Sequence, residues 1–416
     1  VLLMSQDPTV IVDAPVAGAP RRDFLKAAAA TGILVAKPQT VFGSQANSTV
    51  EVGIVGCGGR GNWIAPFFPE FAGARVVALA DVIRTHLDGT REKLNVGAGR
   101  AYYGPEGYLE LANSKLDAVV IETPPYFHPQ QAMAAVDAGK HVFLAKPVAV
   151  DVPGCKSILD SERKARQKNL TYWVDFQSRA MPVFQEVAQR IHRGDLGKPT
   201  LAQVYYYAGR PSRDKGTPGM DPGQRQVLNH YMDKVLGGDI IVEQNIHVID
   251  MANWYLNAHP LQAAGTGGRT DWKGTPYDGA SAYDHFVVSF WYPNDVHASF
   301  SSHQLGHYSD LCVRVFGIQG AADTHYGGSV RITGPNAWVG TDKDDTFRQG
   351  AINNVVAFVR AVREGKPIYN ADESVKSNLT AILGRMAAYA NGPIITWDAM
   401  MKSEERLEPA NLKLAW

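Results

Sequence analysis

Residues 50–61 read V-E-V-G-I-V-G-C-G-G-R-G, a short apolar run entering a glycine-rich turn. Gly56, Gly58 and Gly61 fill the three fixed places of G-x-G-x-x-G. Between a strand and a helix, the first makes a tight turn and the second lets a pyrophosphate approach bare backbone. The third lets the helix pack closely on the strand. The chain has 40 glycines, so the spacing alone is weak evidence. Its setting is stronger. A second apolar run, residues 74–80, ends in Asp81, 20 residues beyond the last glycine, where a carboxylate accepts hydrogen bonds from an adenosine ribose. The stretch predicts a dinucleotide-binding unit.

The same rhythm continues outward. Strands are expected at 50–55, 74–80, 118–122, 141–144 and 170–176, with helices between them, notably at 129–138 and 152–168. Such alternation describes a doubly wound α/β sheet. Beyond Arg179 it gives way to a helix at 182–193 and to strands at 201–207, 285–292, 296–303 and 311–317. These predict a second, α+β portion with an open, mainly antiparallel sheet. Two long polar loops, 208–225 and 265–279, interrupt it, and helices return at 351–364 and 372–391. The expected organisation is a targeting segment at 1–46, a Rossmann NAD(P)-binding domain at 47–175, and a substrate and oligomerisation domain at 176–416.

Composition narrows the function. Lys plus Arg and Asp plus Glu both number 41, and no basic block stands out, which argues against a nucleic-acid partner. Three cysteines, Cys57, Cys155 and Cys312, are too few and too dispersed for a disulfide framework or a thiolate metal site. Cys57, inside the glycine turn, reads as a packing residue. Near the N-terminus, R-R-D-F-L-K (residues 21–26) precedes the apolar run 27–36 and the small-residue exit Ser44-Gln45-Ala46. That pattern is expected of a signal peptide of the twin-arginine type, which exports folded proteins to the periplasm or beyond. The run is too short to span a bilayer, which needs ~20 apolar residues, and no other segment qualifies.

Two clusters carry candidate chemistry. In V-F-L-A-K-P (142–147), Lys146 stands at the C-terminal end of a strand, where ligands bind in open α/β sheets. There it can donate to a substrate oxygen and stabilise developing negative charge. In G-G-D-I-I-V-E-Q-N-I-H-V-I-D (237–250), a helix starting near Val242 would place Glu243, His247 and Asp250 on one face. The histidine suits proton transfer, and a neighbouring carboxylate would orient it. From spacing alone, a histidine satisfied by a helix neighbour is as good a reading. No H-E-x-x-H occurs and nothing completes a coordination shell, so no metal is expected.

With these stretches, T-P-P-Y-F-H-P-Q-Q-A-M-A-A-V-D-A-G-K-H-V-F-L-A-K-P and V-D-F-Q-S-R-A-M-P occur in order over residues 50–330. Together they resemble the Gfo/Idh/MocA oxidoreductases. The resemblance implies a nicotinamide enzyme acting on a CH-OH group of a sugar or polyol, and pairing into homodimers or homotetramers. Lys146 matches the lysine of the family's Glu-Lys-Pro motif, His247 its catalytic histidine, and Glu243 a position usually held by aspartate. Thr123 and Pro124 match the turn beside the nicotinamide, and Arg179 an arginine near the substrate pocket. The implied cofactor-binding set is Gly56, Gly58, Gly59, Arg60, Gly61, Asp81, Thr123, Pro124, His128 and Lys146. Arg179 is an implied substrate contact, and Glu122 and Asp250 are read as further candidates for contact with the substrate. Asp81 favours NAD over NADP by repelling a 2′-phosphate, although Arg84 stands close by.

One departure is large: the motif glutamate is Ala145. Glu122 precedes Pro124 as Ala145 precedes Pro147, so neighbouring strands would bring the two level and let Glu122 supply the missing carboxylate. Within the resemblance three outcomes stand open. They are net oxidoreduction with a tightly held cofactor, glycoside cleavage by transient oxidation and elimination, and a non-catalytic sugar-binding or assembly role.

Overall fold

Residues 49–209, 216–270, 281–306, 308–342, 345–409 and 412 are described by the computed structural model of the chain. The expected targeting segment, with Arg21 and Arg22, lies outside them, as do residues 210–215 of the first long loop and 271–279 of the second. No described helix is long and apolar enough to cross a membrane.

Six parallel strands build the first sheet: β1 (Glu51–Val55), β2 (Arg75–Asp81), β3 (Ala101–Tyr103), β4 (Ala118–Ile121), β5 (His141–Ala145) and β6 (Tyr172–Asp175). Their spatial order is β3-β2-β1-β4-β5-β6. The order reverses between β1 and β4, so a crevice opens beyond their C-terminal ends, where Gly56 and Glu122 begin the loops. Both faces are covered, which is why β4 and β5 are apolar without alternation. Val142 and Leu144 join one core, and Phe143 joins another with Ile54, Leu79, Phe358 and Val359. The last two come from helix Thr346–Glu364, so a late segment of the chain covers a face of the first sheet. The segment before helix Ala371–Ala390 runs beside β6: Asn370 accepts from Val174 N (2.7 Å) and donates to Val174 O (2.9 Å). That contact shields the edge strand from pairing elsewhere.

The second sheet has nine strands: β7 (Pro199–Tyr207), β8 (Gln262–Gly268), β9 (His285–Tyr292), β10 (Val296–His303), β11 (Asp310–Gly317), β12 (Ala321–His325), β13 (Ser329–Thr333), β14 (Trp338–Thr341) and β15 (Ile395–Thr396). Their order is β14-β13-β12-β11-β7-β10-β9-β8-β15, antiparallel except for β10 on β7. The fold is thus α/β, with a Rossmann-type sheet followed by a mixed, mainly antiparallel one. β8 runs through the first residues expected to form a loop. Its glycines allow close backbone approach, since a Cβ at Gly265 would stand 2.8 Å from Val287 O.

The helix expected to run on from Val242 is broken. Ile240–Glu243 and Ile246–Leu256 are separate helices, and Asn245 N reaches back to Ile240 O (2.9 Å) across the break. Gly238 and Asp239 precede them at φ 80° and 78°. Asp239 holds this turn by accepting from Ile240 N, Tyr283 N and Tyr389 Oη. Glu243 and His247 therefore sit on different helices.

Candidate active site

The glycine turn is shaped by contacts that only hydrogen at Cα permits. Gly56 has φ 91°, and a Cβ there would stand 2.7 Å from the Glu122 carbonyl carbon. A Cβ on Gly61 would stand 1.8 Å from Gly56 O, while one on Gly59 would meet nothing within 4 Å. The turn is packed from behind and open in front, a cradle for a group that binds backbone. Beyond it lies a cleft of about 520 Å³, lined by Gly56, Gly58, Gly59, Arg60, Asp81, Glu122, Thr123, Pro124, Lys146, Glu243 and His247 among others.

At the β2 end, Asp81 accepts from Cys57 N and Ile83 N, both at 2.6 Å. Its carboxylate is thus aimed by the turn's own backbone. Burial raises its pKa, against these hydrogen bonds and nearby His86. Burial also pushes the Cys57 thiol well up, so Cys57 is packing, not a nucleophile. Arg84 stacks over the Tyr103 ring at 3.8 Å. Asp81→Asn should weaken NAD binding ~10-fold and NADP binding less, narrowing the preference for NAD, because a charge-assisted hydrogen bond is lost. Titration of each reduced nucleotide by fluorescence checks this.

At the other end, Lys146 Nζ donates to the Glu243 carbonyl (2.5 Å) and stands 3.9 Å from Glu243 Oε1. Burial lowers the Lys146 pKa, Glu243 opposes this, and Arg60 adds to it. His247 is buried on the cleft wall with Nδ1 3.1 Å from the Tyr326 hydroxyl. Burial first, then the charges of Lys146 and Arg60, hold its imidazole well below the ordinary value. At neutral pH it is uncharged, with Nδ1 engaged by Tyr326.

Three expectations need correction. Glu243 does not orient His247; it faces Lys146 and His230 (Oε1–Nε2 4.0 Å), because the helix breaks between them. Tyr326 takes that place. Arg179 and Asp250 are not on the cleft wall: they form a buried ion pair, with Arg179 Nη2 and Nε 2.8 and 2.9 Å from the carboxylate, which Ser377 also joins. His128 is likewise behind the wall, its ring between Pro147 O (2.8 Å) and Thr123 O (2.7 Å). It fastens the two loops that carry Thr123 and Lys146 and does not face a ligand.

Other residues enter that sequence reasoning did not single out. Asp175 ends β6 as Asp81 ends β2, so its position was a readable signal. It lines the cleft, pairs with Arg60 and accepts from Asn354 Nδ2 (2.7 Å). Tyr326 is 79 residues from His247 and had none. Val227, Leu228 and His230 arrive from the second half and close the cleft beside Ile83. Gln224 Nε2 donates to Val82 O (3.0 Å), fastening helix Pro222–Leu228 beside the end of β2. Elsewhere, Cys312, Asp323 and His325 come within 4.8 Å of one another, but Arg314 (2.6 Å) and Asp310 (2.9 Å) already partner Asp323 and His325.

A family model described as "Oxidoreductase family, NAD-binding Rossmann fold" matches residues 50–176, and the C-terminal domain model of the same family matches 184–323. The chain belongs to the GFO/IDH/MocA oxidoreductases. Within that family it is 24% identical over 363 residues to scyllo-inositol 2-dehydrogenase (NAD(+)) of Bacillus subtilis, spanning 84% of this chain and 96% of the relative. Several other curated family members are matched over about half of their length. Among solved structures, scyllo-inositol dehydrogenase from Lactobacillus casei with bound NAD(H) and scyllo-inositol superposes with a TM-score of 0.66 at 20% identity. That match covers 84% of this chain and 100% of the other. A levoglucosan dehydrogenase complex with NADH and levoglucosan gives 0.67 at 17% identity, covering 84% and 99%. At these identities the superpositions establish the shared GFO/IDH/MocA fold.

Proposed function

We propose that this protein is an exported NAD-dependent oxidoreductase that acts on a hydroxyl of a sugar, polyol or glycoside and holds its cofactor tightly. The observation that carries the reading is the meeting of Lys146 and His247 in a cleft floored by the glycine cradle. The residues fit the dinucleotide. The open face of Gly56, Gly58 and Gly59 would take the pyrophosphate, Asp81 the adenosine ribose, and Thr123, Pro124 and Lys146 the nicotinamide end. When bound, the nicotinamide supplies a hydride acceptor or donor. His247 Nε2 would take the proton of the reacting hydroxyl, with Nδ1–H donating to Tyr326. Lys146 would donate to the same oxygen as it gains negative charge, its ammonium anchored by the Glu243 carbonyl. In the reverse direction His247 returns the proton.

Tight retention is supported by helix Pro222–Leu228, which packs Val227 on Ile83 and Leu236 and hydrogen-bonds Val82. Val227→Asp should therefore speed loss of the nucleotide ~10-fold or more, followed as cofactor remaining after gel filtration. A retained cofactor also suits a closed redox cycle, so transient oxidation with elimination of a glycoside is the second reading. Export rests on the R-R-D-F-L-K string, and the same proposal takes 47–175 as the cofactor domain and 176–416 as the substrate and oligomerisation domain.

The test is to release and identify the copurified nucleotide, then assay scyllo-inositol, myo-inositol, levoglucosan, glucose and aryl glycosides. NAD with net oxidation of a polyol or sugar supports the first reading; aglycone release without net NADH supports the second. Turnover of none of these, with no bound nucleotide, would sink both and favour a non-catalytic role.

A further inference from the structure

The ends of three neighbouring strands meet at one level beneath the cleft. Ile121 pairs with Leu144, so Glu122 follows β4 where Ala145 ends β5. Ala145 in turn pairs with Asp175 on β6. The alanine is thus flanked by two buried carboxyl groups. Their surroundings differ. Asp175 is partnered by Arg60 and Asn354. Glu122 has both oxygens buried without a hydrogen bond, and its nearest cation, Arg60 Nε, is 3.6 Å away, beyond hydrogen-bonding distance. A buried carboxyl group with an ion-pair neighbour but no hydrogen bond is costly to keep. This one belongs to a residue that lines the cleft.

The side of the cleft is also defined. The Glu122 backbone lies against Gly56, and its Cβ is 3.5 Å from where a Gly61 Cβ would stand. It belongs to the cradle, whereas His247 faces it from the second half of the chain. We propose that Glu122 is a cofactor-positioning residue that hydrogen-bonds a ribose hydroxyl of the bound dinucleotide, at once as donor and acceptor, in place of the carboxyl group that Ala145 lacks. The inference rests on the nicotinamide reading above.

Charge supports the donor role. Arg60 and Lys146 face three carboxyl groups, Glu122, Asp175 and Glu243, and burial raises the Glu122 pKa to about 8 against the pull of Arg60. At neutral pH it therefore carries its proton, and a hydroxyl offers the matching acceptor and donor. Ionisation above that value removes the donor, so affinity should fall as pH rises through about 8.

Full-length wild type, Glu122→Gln and Glu122→Leu are stripped of nucleotide and titrated with NADH from pH 6 to 9.5. Glutamine keeps a donor and an acceptor, so its affinity should stay within ~3-fold of wild type and lose the fall at high pH. Leucine keeps neither, and the dissociation constant should rise ~10-fold or more. Apo Glu122→Leu should melt no lower than apo wild type, and up to about 2–4 °C higher, since an orphaned buried carboxyl is removed. A purely structural role would lower that melting temperature. Equal NADH affinity in all three proteins, or a loss confined to the KM of the sugar, overturns the inference alone. Failure of wild type to bind NADH overturns the nicotinamide reading, and this with it.

Discussion

A His247→Asn enzyme should oxidise its sugar or polyol roughly 10²–10⁴-fold more slowly than wild type while binding NADH about equally well. The imidazole is the group on the cleft wall built to accept a proton at neutral pH. Burial, reinforced by Lys146 and Arg60, disfavours its charged form, and the Tyr326 hydroxyl engages Nδ1. Asparagine keeps a polar side chain of similar reach but cannot accept a proton. The loss should fall on kcat and kcat/KM together, because the interaction strengthens as the proton moves. The pH dependence has a fixed sign. Oxidation needs neutral imidazole, so the wild-type rate should fall only when pH drops below histidine's ordinary range, and reduction should favour the opposite limb. A variant with wild-type turnover would move the chemistry elsewhere, and a non-catalytic reading would then gain.

Lys146→Met should cost about 10²–10³-fold in kcat, the magnitude of losing one pre-aimed donor to a developing oxyanion. Methionine preserves the length of the chain and its packing against the cleft while removing charge and donors. A second effect tells this apart from general damage. Lys146 is one of the cations that depress the His247 pKa, so its removal should shift the acid limb of the oxidation profile to higher pH. Lys146→Arg should not restore activity: the wider guanidinium cannot occupy the 2.5 Å contact with the Glu243 carbonyl and present one donor to the substrate. Stopped-flow single turnovers with saturating cofactor measure the chemical step directly.

The glycine turn, Asp81 and the ends of β4 and β5 were legible because each depends on a few consecutive residues: an apolar run, a glycine forced to φ 91°, a carboxylate at a strand end. Lys146 and His247 were legible as types in a pattern, which says what a side chain can do but not what it touches. The broken helix shows the limit. Spacing joined Glu243, His247 and Asp250 on one face, yet the buried Asp239 turn and the Asn245 break send Glu243 to Lys146 and bury Asp250 against Arg179. A one-helix reading cannot anticipate that, because the partners that decide it come from other segments.

By itself, then, the sequence determined the α/β class, the strand order's opening motif, the cofactor type and the two groups proposed to carry the chemistry. Only the tertiary structure decided how they are poised. Parallel register set Glu122, Ala145 and Asp175 side by side, Tyr326 reached His247 across 79 residues, and helix Pro222–Leu228 came back beside the end of β2. The physical reason is that orientation, protonation and water exclusion depend on burial and on neighbours far away in the chain, whereas turn geometry and strand period depend on adjacent residues alone.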